Sequence, residues 1–325
     1  MIPSFRWDEV VMQPWMHHPL DTGLIVWMGF LVIASCGLVG NYLMVRRMAL
    51  MGDAISHSVL PGLAIAFLIA GRRTSIEMYL GAISAALVTV IVIEWIYKSS
   101  RIKQDAAMNI VFSSLFSIGV ILITWFADRV DLDQECVLYG EITFIPLEPL
   151  IRFFGLPLGT DSTLRMTWVF LATCVCILAF YKQLLVTSFD SALADSMGIP
   201  SHWVHLLLMC MVSVIVVSAF ESVGAILVVA MMILPAATAY LWIPNLRWMH
   251  PLVVGFAAVS SLVGFHSALW WDTSIASAMV IASAGLFGVT WVLHPSRGVL
   301  GRKLFQKKET QKASSSPTDV RAGLF

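Results

Sequence analysis

Charge is scarce in this sequence of 325 residues: 12% of positions are Asp, Glu, Lys or Arg, 58% are hydrophobic, and the formal net charge is zero. With a mean hydropathy of +0.84, a chain of this size has no soluble core large enough to hide its apolar surface, so lipid is its solvent. No basic patch is interleaved with aromatics, which argues against a nucleic-acid partner. The dipeptide Gly-Lys does not occur, so no Walker A loop is present to cradle the phosphates of ATP. Nor is there a His-Glu-x-x-His, the arrangement an intramembrane zinc hydrolase needs. Of the five cysteines, Cys36, Cys174, Cys176 and Cys210 fall within apolar runs, where a thiol acts as a small filler. Cys136 alone lies outside, which leaves no paired-thiolate zinc spacing and no intrachain disulfide.

What is present is a series of long apolar runs. Membrane-spanning helices are expected at 22–45, 48–70, 76–97, 107–127, 164–187, 203–220, 222–242, 251–269 and 274–293. The expected fold class is all-α, a polytopic membrane protein of about nine spans, with eight the alternative count. Segment 1–21 reads as an extracytoplasmic N-terminal stretch, 22–293 as the transmembrane domain, and 294–325, rich in Lys and Ser, as a disordered cytoplasmic tail.

Orientation follows from the basic residues. With the N-terminus outside, the inner segments hold fourteen of the twenty Lys and Arg, including Arg46, Arg47, Lys98, Arg101, Lys103, Lys182, Arg247 and Arg297. The outer ones hold Arg6, Arg72, Arg73, Arg129, Arg152 and Arg165, an asymmetry that the positive-inside rule converts into an inner C-terminus. The run from Leu24 is too long, and the flank Arg6-Trp7-Asp8-Glu9 too mixed, for a cleaved signal peptide. The longest outer segment, 128–163, carries Asp128, Asp131, Asp133, Glu135, Glu141, Glu148 and Asp161 against two arginines. Such a surface concentrates cations, unless its acids are simply solvated. Its length predicts a short re-entrant or surface helix around 141–154.

One stretch carries chemistry: Gly52-Asp53-Ala54-Ile55-Ser56-His57-Ser58-Val59-Leu60-Pro61-Gly62. An ionised Asp at a helix centre in a bilayer costs roughly 2.5–3.5 kcal/mol on insertion scales, so it faces a cavity, a partner or an ion. Residues four apart lie about 40° around the helix axis and about 6 Å along it, so Asp53 and His57 can point at one ligand. A hard oxygen beside an imidazole nitrogen suits a divalent first-row transition metal. The plain alternative is a histidine satisfied by its own aspartate. Ala54, Ser58, Gly62, Ala66 and Ala70 recur every four residues as a small-residue ridge that packs on protein, and Pro61 is placed to kink the helix beyond the pair.

Other charged positions read as structural. Glu94 and Lys98 form an i, i+4 pair, Glu77 sits at a helix start, and Glu221 and His266 read as turn or interface residues. Trp270 and Trp271 belong to an interfacial aromatic belt. The inner loop 182–202 contains Ser188-Phe189-Asp190-Ser191-Ala192-Leu193-Ala194-Asp195-Ser196-Met197-Gly198-Ile199-Pro200, a short amphipathic helix opened by a capping residue and closed by Gly and Pro. A stiff helix there is what a soluble motor needs in order to push on a membrane domain. An inner loop also takes this form for solubility alone.

The 52–62 stretch, Leu132-Asp133-Gln134-Glu135-Cys136-Val137-Leu138-Tyr139-Gly140-Glu141, the span from Phe189-Asp190 to Gly198-Ile199-Pro200, and Val223-Gly224-Ala225 through Leu234-Pro235-Ala236-Ala237-Thr238-Ala239 resemble, in order, the permease family of manganese, zinc and iron ABC importers. The resemblance covers about residues 22–293. It implies a multi-pass permease of the prokaryotic cytoplasmic (inner) membrane that binds no cofactor and carries divalent metal as substrate. It further implies a separate cytoplasmic ATPase, a second permease chain, identical or related, and an extracytoplasmic metal-binding protein. Matching positions make Asp53 and His57 the metal pair, and Phe189, Asp190, Ala194 and Gly198 part of a coupling helix at 189–200. One Asp and one His are too few for a transition metal, which takes four or more ligands, so two chains would have to share the site. The readings set against this are an ion-coupled secondary transporter using Asp53 and His57 as a proton relay, which calls for an inverted repeat that is not seen, and the intramembrane metalloenzyme excluded above.

Overall fold

A long hydrophobic helix with small residues on several faces can be buried all round, and that decides the centre of this structure. The computed structural model describes residues 6–70, 76–125, 142–153, 156–243 and 245–294. Arg72, Arg73, the 128–141 positions including Asp128, Arg129, Asp131, Asp133, Glu135, Cys136 and Glu141, and the tail from 295 lie outside them.

A π-helical turn (Asp8–Met12) and α1 (Gln13–His17) lead to α2 (Pro19–Val45), whose most apolar window is 72% buried. At about 1.5 Å per residue it is long enough to cross a bilayer. Next come α3 (Met51–Ser58), α4 (Leu60–Ala70), α5 (Ile76–Ser99) and α6 (Gln104–Trp125). After a 3-10 turn (Ile142–Leu147) and an antiparallel hairpin, β1 (Leu150–Phe153) with β2 (Leu156–Thr160), follow α7 (Asp161–Ala179), α8 (Tyr181–Phe189) and α9 (Ser191–Ser196). The described chain finishes with α10 (Ser201–Val223), α11 (Ala225–Trp242), α12 (Leu246–Trp271) and α13 (Ile275–Leu293). Among the described residues nine spans are long and apolar enough to cross a membrane, as expected from the sequence, with α3 and α4 together making one of them.

Helix α2 packs on α7, α11 and α12, and glycine sets how closely. A Cβ on Gly40 would run into the Met232 carbonyl of α11, and one on Gly37 would lie 2.6 Å from Val253 and 2.9 Å from the Pro235 ring. With no hydrophobic drive between helices in lipid, such close van der Waals approach is the source of their association. Helices α5, α6 and α7, each about 28% buried, form the periphery.

The second span breaks at Val59, immediately after His57. Pro61 has no N–H to return to the His57 carbonyl, which is the kink expected from the sequence. Small residues fill the crossings around it. Ala54, Ser58 and Ala66 are buried, Ser58 Oγ accepts from Thr89 Oγ1 at 2.7 Å, and Gly62 and Gly81 meet backbone to backbone between α4 and α5. On the other side Gly119 of α6 admits Leu60 and Pro61.

Two expectations need correction. The run 164–187 is two helices, broken at Phe180 (φ −104, ψ 18), and the break turns Tyr181 against His250 at 6.3 Å between ring centroids. Around 141–154 the expected short helix is a 3-10 helix over Ile142–Leu147, followed by the first strand of a hairpin that was not expected, because Pro146 and Pro149 leave no room for a regular α ladder. Glu148, read as one of the solvated acids, accepts from the Ser162 N–H (3.2 Å) and hydroxyl (2.6 Å) and so caps the start of α7.

Candidate metal site

Asp53 lies in the first turn of α3 and His57 in its last, so the i, i+4 spacing is realised on one short helix. His57 Nε2 is 3.4 Å from Asp53 Oδ1, and both side chains are part-exposed, 29% and 40%. That exposure matters, because a pair existing only to satisfy itself in lipid would be covered. The imidazole rests on α6, with the Phe112 and Phe116 rings 6.0 and 5.9 Å away. Beside those rings α6 exposes Asn109, Ser113 and Ser117 at four-residue spacing, a polar stripe that a lipid-facing helix would not carry. Among the described residues no group of three or more His, Cys, Asp or Glu could hold a metal, so there the pair stands without a third candidate donor.

Glu221 and His266 are both tied down. Glu221 pairs with Arg165 at 3.1 Å, and Arg165 also reaches Asp161 at 3.5 Å and covers the Tyr79 ring at 5.4 Å. His266 Nδ1 bonds to the Val10 carbonyl at 3.1 Å and its Nε2 accepts from Trp15 at 3.5 Å, fastening the N-terminal turns to α12. Both are interface residues, as read from the sequence.

At the opposite end, Asp190 caps α9 by accepting from the Leu193 N–H at 3.0 Å. Asp195 accepts from the Ser201 N–H and hydroxyl, both at 3.0 Å, which binds the end of α9 to the start of α10. Those donations hold the Asp195 carboxyl below its ordinary range, so the tie is complete at neutral pH and is lost as acid protonates it. Gly198 makes the turn at φ +79 with open space around it, and Ala194 is fully buried as the anchor of α9. The helix proper is shorter than the expected 189–200. Its exposed large apolar residues are Leu193 and, at its C-cap, Met197, at 51% and 62% exposure, with Phe189 at 64% closing α8 beside them; only Phe189 was singled out from sequence. The i, i+4 spacing of Leu193 and Met197 was the available signal, whereas the extended Asp190 (φ −151, ψ 105) separates Phe189 from that helix.

Sequence reading also missed a polar cluster between these two regions. Arg46, after the last turn of α2, donates to Thr187 Oγ1 (2.8 Å), Ser188 Oγ (3.0 Å) and His205 Nδ1 (2.8 Å). His205 Nε2 lies against Glu94 Oε1, Glu94 Oε2 is 3.2 Å from Lys98, and Lys98 Nζ is 2.6 Å from His202 Nδ1. A second tie joins α2 to α12, where His250 bonds to Asn41 and Tyr42, each at 3.1 Å.

The profile of the ABC 3 transport family matches residues 23–293. The chain belongs to the ABC 3 transport family. The match embraces Asp53, His57 and the whole α9 region. Within curated proteins it is 38% identical over 280 residues, 86% of this chain and 94% of the relative, to the manganese transport system membrane protein MntD of Bacillus subtilis strain 168. It is 37% identical over 283 residues, 87% of this chain and 77% of the relative, to the zinc transport system membrane protein TroD of Treponema pallidum strain Nichols. Among solved structures it resembles a chain of PsaBC from Streptococcus pneumoniae in complex with Fab, with a TM-score of 0.73 and 33% identity over 93% of this chain and 100% of that one. An inward-facing metal-chelate type ABC transporter, at 17% identity and a TM-score of 0.60, shares the fold.

Proposed function

We infer that the chain is the permease subunit of an ATP-driven importer that moves a divalent transition metal, manganese, zinc or iron, across the cytoplasmic membrane. The observation that carries this reading is the part-exposed Asp53–His57 pair beside the polar stripe of α6, in a chain whose family and named relatives are metal transporters. Two permease chains facing each other contribute two carboxylates and two imidazoles, the four donors that one chain lacks. Mixed oxygen and nitrogen donors bind the ion while leaving it exchangeable, and the break at Val59 lets the segment bearing the pair move separately from α4. The N-terminus is outside and the C-terminus inside. ATP is hydrolysed by a separate cytoplasmic subunit, and an extracytoplasmic protein delivers the metal. Metal uptake by a deletion strain complemented with this chain, measured with manganese, zinc and iron in competition, tests the reading. No restoration for any of the three contradicts it.

Residues 189–200 are the coupling segment. The apolar row Phe189, Leu193 and Met197 docks into the ATPase, while Asp190, Ala194 and Gly198 hold the shape that presents it. Leu193→Glu with Met197→Glu puts two charges into that contact, and copurified ATPase and transport are both expected to fall sharply, with membrane insertion unchanged. A double variant that copurifies with the ATPase and transports normally contradicts the assignment.

The acids Asp131, Asp133 and Glu135 of the outer segment attract cations or dock the delivery protein. Neutralising all three is expected to slow association at low salt, with the defect fading as salt shortens the screening length to roughly 8–10 Å. Normal delivery in low salt leaves these acids without a role.

A further inference from the structure

We propose that Arg46 is a positioning residue that carries movement of the coupling segment to the helix bearing Asp53 and His57. The inference rests on the coupling reading above but is drawn from different atoms. All three guanidinium nitrogens of Arg46 are engaged, Nη2 by Thr187, Nε by Ser188 and Nη1 by His205. Thr187 and Ser188 are the last polar residues of α8, two places and one place before Phe189, and His205 lies in the first turns of α10. One side chain therefore grips the chain on both sides of α9.

Its backbone leads to the metal pair through a stiff turn. The Arg46 N–H caps α2 on the Tyr42 carbonyl, Arg47 follows in the left-handed region (φ +60), Met48 N–H returns to the Leu43 carbonyl at 2.8 Å, and Met51 N–H to the Met48 carbonyl at 3.0 Å. Met48 and Met51 are buried, so the turn is packed as well as bonded. Asp53 comes two residues later. A displacement of the end of α8 has no slack to take up before it reaches α3.

The bonds themselves resist slipping. Arginine only donates, so His205 Nδ1 accepts and its Nε2 carries the proton toward Glu94. Glu94 in turn holds Lys98, which donates to His202, four residues after Met197 and Gly198 have closed the segment. The start of α10, the end of α5 and the α2–α3 turn thus move together with α8. A guanidinium taken out of water with its partners removed is costly, so the cluster shifts as a unit instead of opening.

The test uses the permease assembled with its ATPase in proteoliposomes. Arg46→Lys keeps the charge but offers one nitrogen in place of three. The pair Thr187→Val with Ser188→Ala removes the acceptors and leaves Arg46 in place, which keeps the test open if the first variant does not assemble. Metal transported per ATP hydrolysed is expected to fall about tenfold, inside the usual 5- to 150-fold span of coupling between two sites. Equilibrium binding of manganese to the solubilised, nucleotide-free complex is expected to stay as in the parent, a readout that a merely structural role would move. A parental transport-to-hydrolysis ratio in both variants overturns the proposal, and so does loss of manganese binding in both. Leu193→Glu with Met197→Glu separates the two ideas: if that variant uncouples and the Arg46 variants do not, only this inference falls, whereas normal transport in it removes the coupling reading itself.

Discussion

Metal uptake is expected to fall to background in Asp53→Asn and in His57→Ala, with both proteins still inserted and still bound to their ATPase. Asparagine keeps the volume and the hydrogen-bonding oxygen of aspartate and removes the charge, so it isolates the carboxylate's hold on a divalent cation. Alanine at 57 removes the imidazole together with its contacts to Phe112 and Phe116. Neither change should unfold the helix bundle. The 3.4 Å pair is part-exposed, and contacts of that kind contribute about 0–1 kcal/mol to stability. In a symmetric pair of permeases each substitution deletes two of four donors at once, and for that reason no residual slow transport is expected. Radiolabelled manganese uptake, run beside a pull-down of the ATPase, checks both halves. Near-normal transport in either variant removes the basis for the metal site.

Gly62→Leu is expected to destabilise the folded protein strongly. A Cβ at 62 would meet the Gly81 carbonyl, and beyond it Ala85 at 2.5 Å; a Cβ at 81 would in turn lie 2.7 Å from the Gly62 carbonyl and 2.5 Å from Ala66. The obstacle is backbone, which has no rotamer to yield, so the cost lies at or above the usual ~1–3 kcal/mol for overpacking. Separating α4 from α5 also breaks the Thr89–Ser58 bond one residue from His57. Gly255→Leu is the control, since nothing lies within 4 Å of that position. Thermal unfolding in detergent, followed by size-exclusion profile, should show a large loss for the first and little for the second.

Much of this architecture could be read from the chain because lipid imposes a simple code. Runs of about 20 apolar residues have only helices available to them, so the nine spans among the described residues followed from length and hydropathy, though not all their ends, the 164–187 run ending its span at Ala179. The Asp53–His57 pair was legible for a related reason: four-residue spacing is a geometric fact of one helix, and Pro61 announces its own break. Contacts between distant segments were not legible. Arg46 meets Ser188 and His205 across 142 and 159 residues, and no local spacing encodes that, so Arg46 read as another basic residue at a span end. Glu94 was paired correctly with Lys98 inside α5, yet its shorter contact is with His205 from α10. The 150–160 hairpin was overlooked because loop length suggested a helix, although Pro146, Pro149 and Gly155 were already signals against one.

The row of Phe189, Leu193 and Met197 bears on how the protein is made as well as on how it works. A permease that has reached the membrane before meeting its ATPase displays these three side chains to water, and exposed apolar patches invite aggregation and capture by proteases and chaperones. On the proposed coupling role, the same face would mark a chain that has no partner. Cells making this permease in excess of its ATPase would then be expected to clear the surplus, and balanced synthesis of the two subunits would be a requirement written into one exposed apolar row.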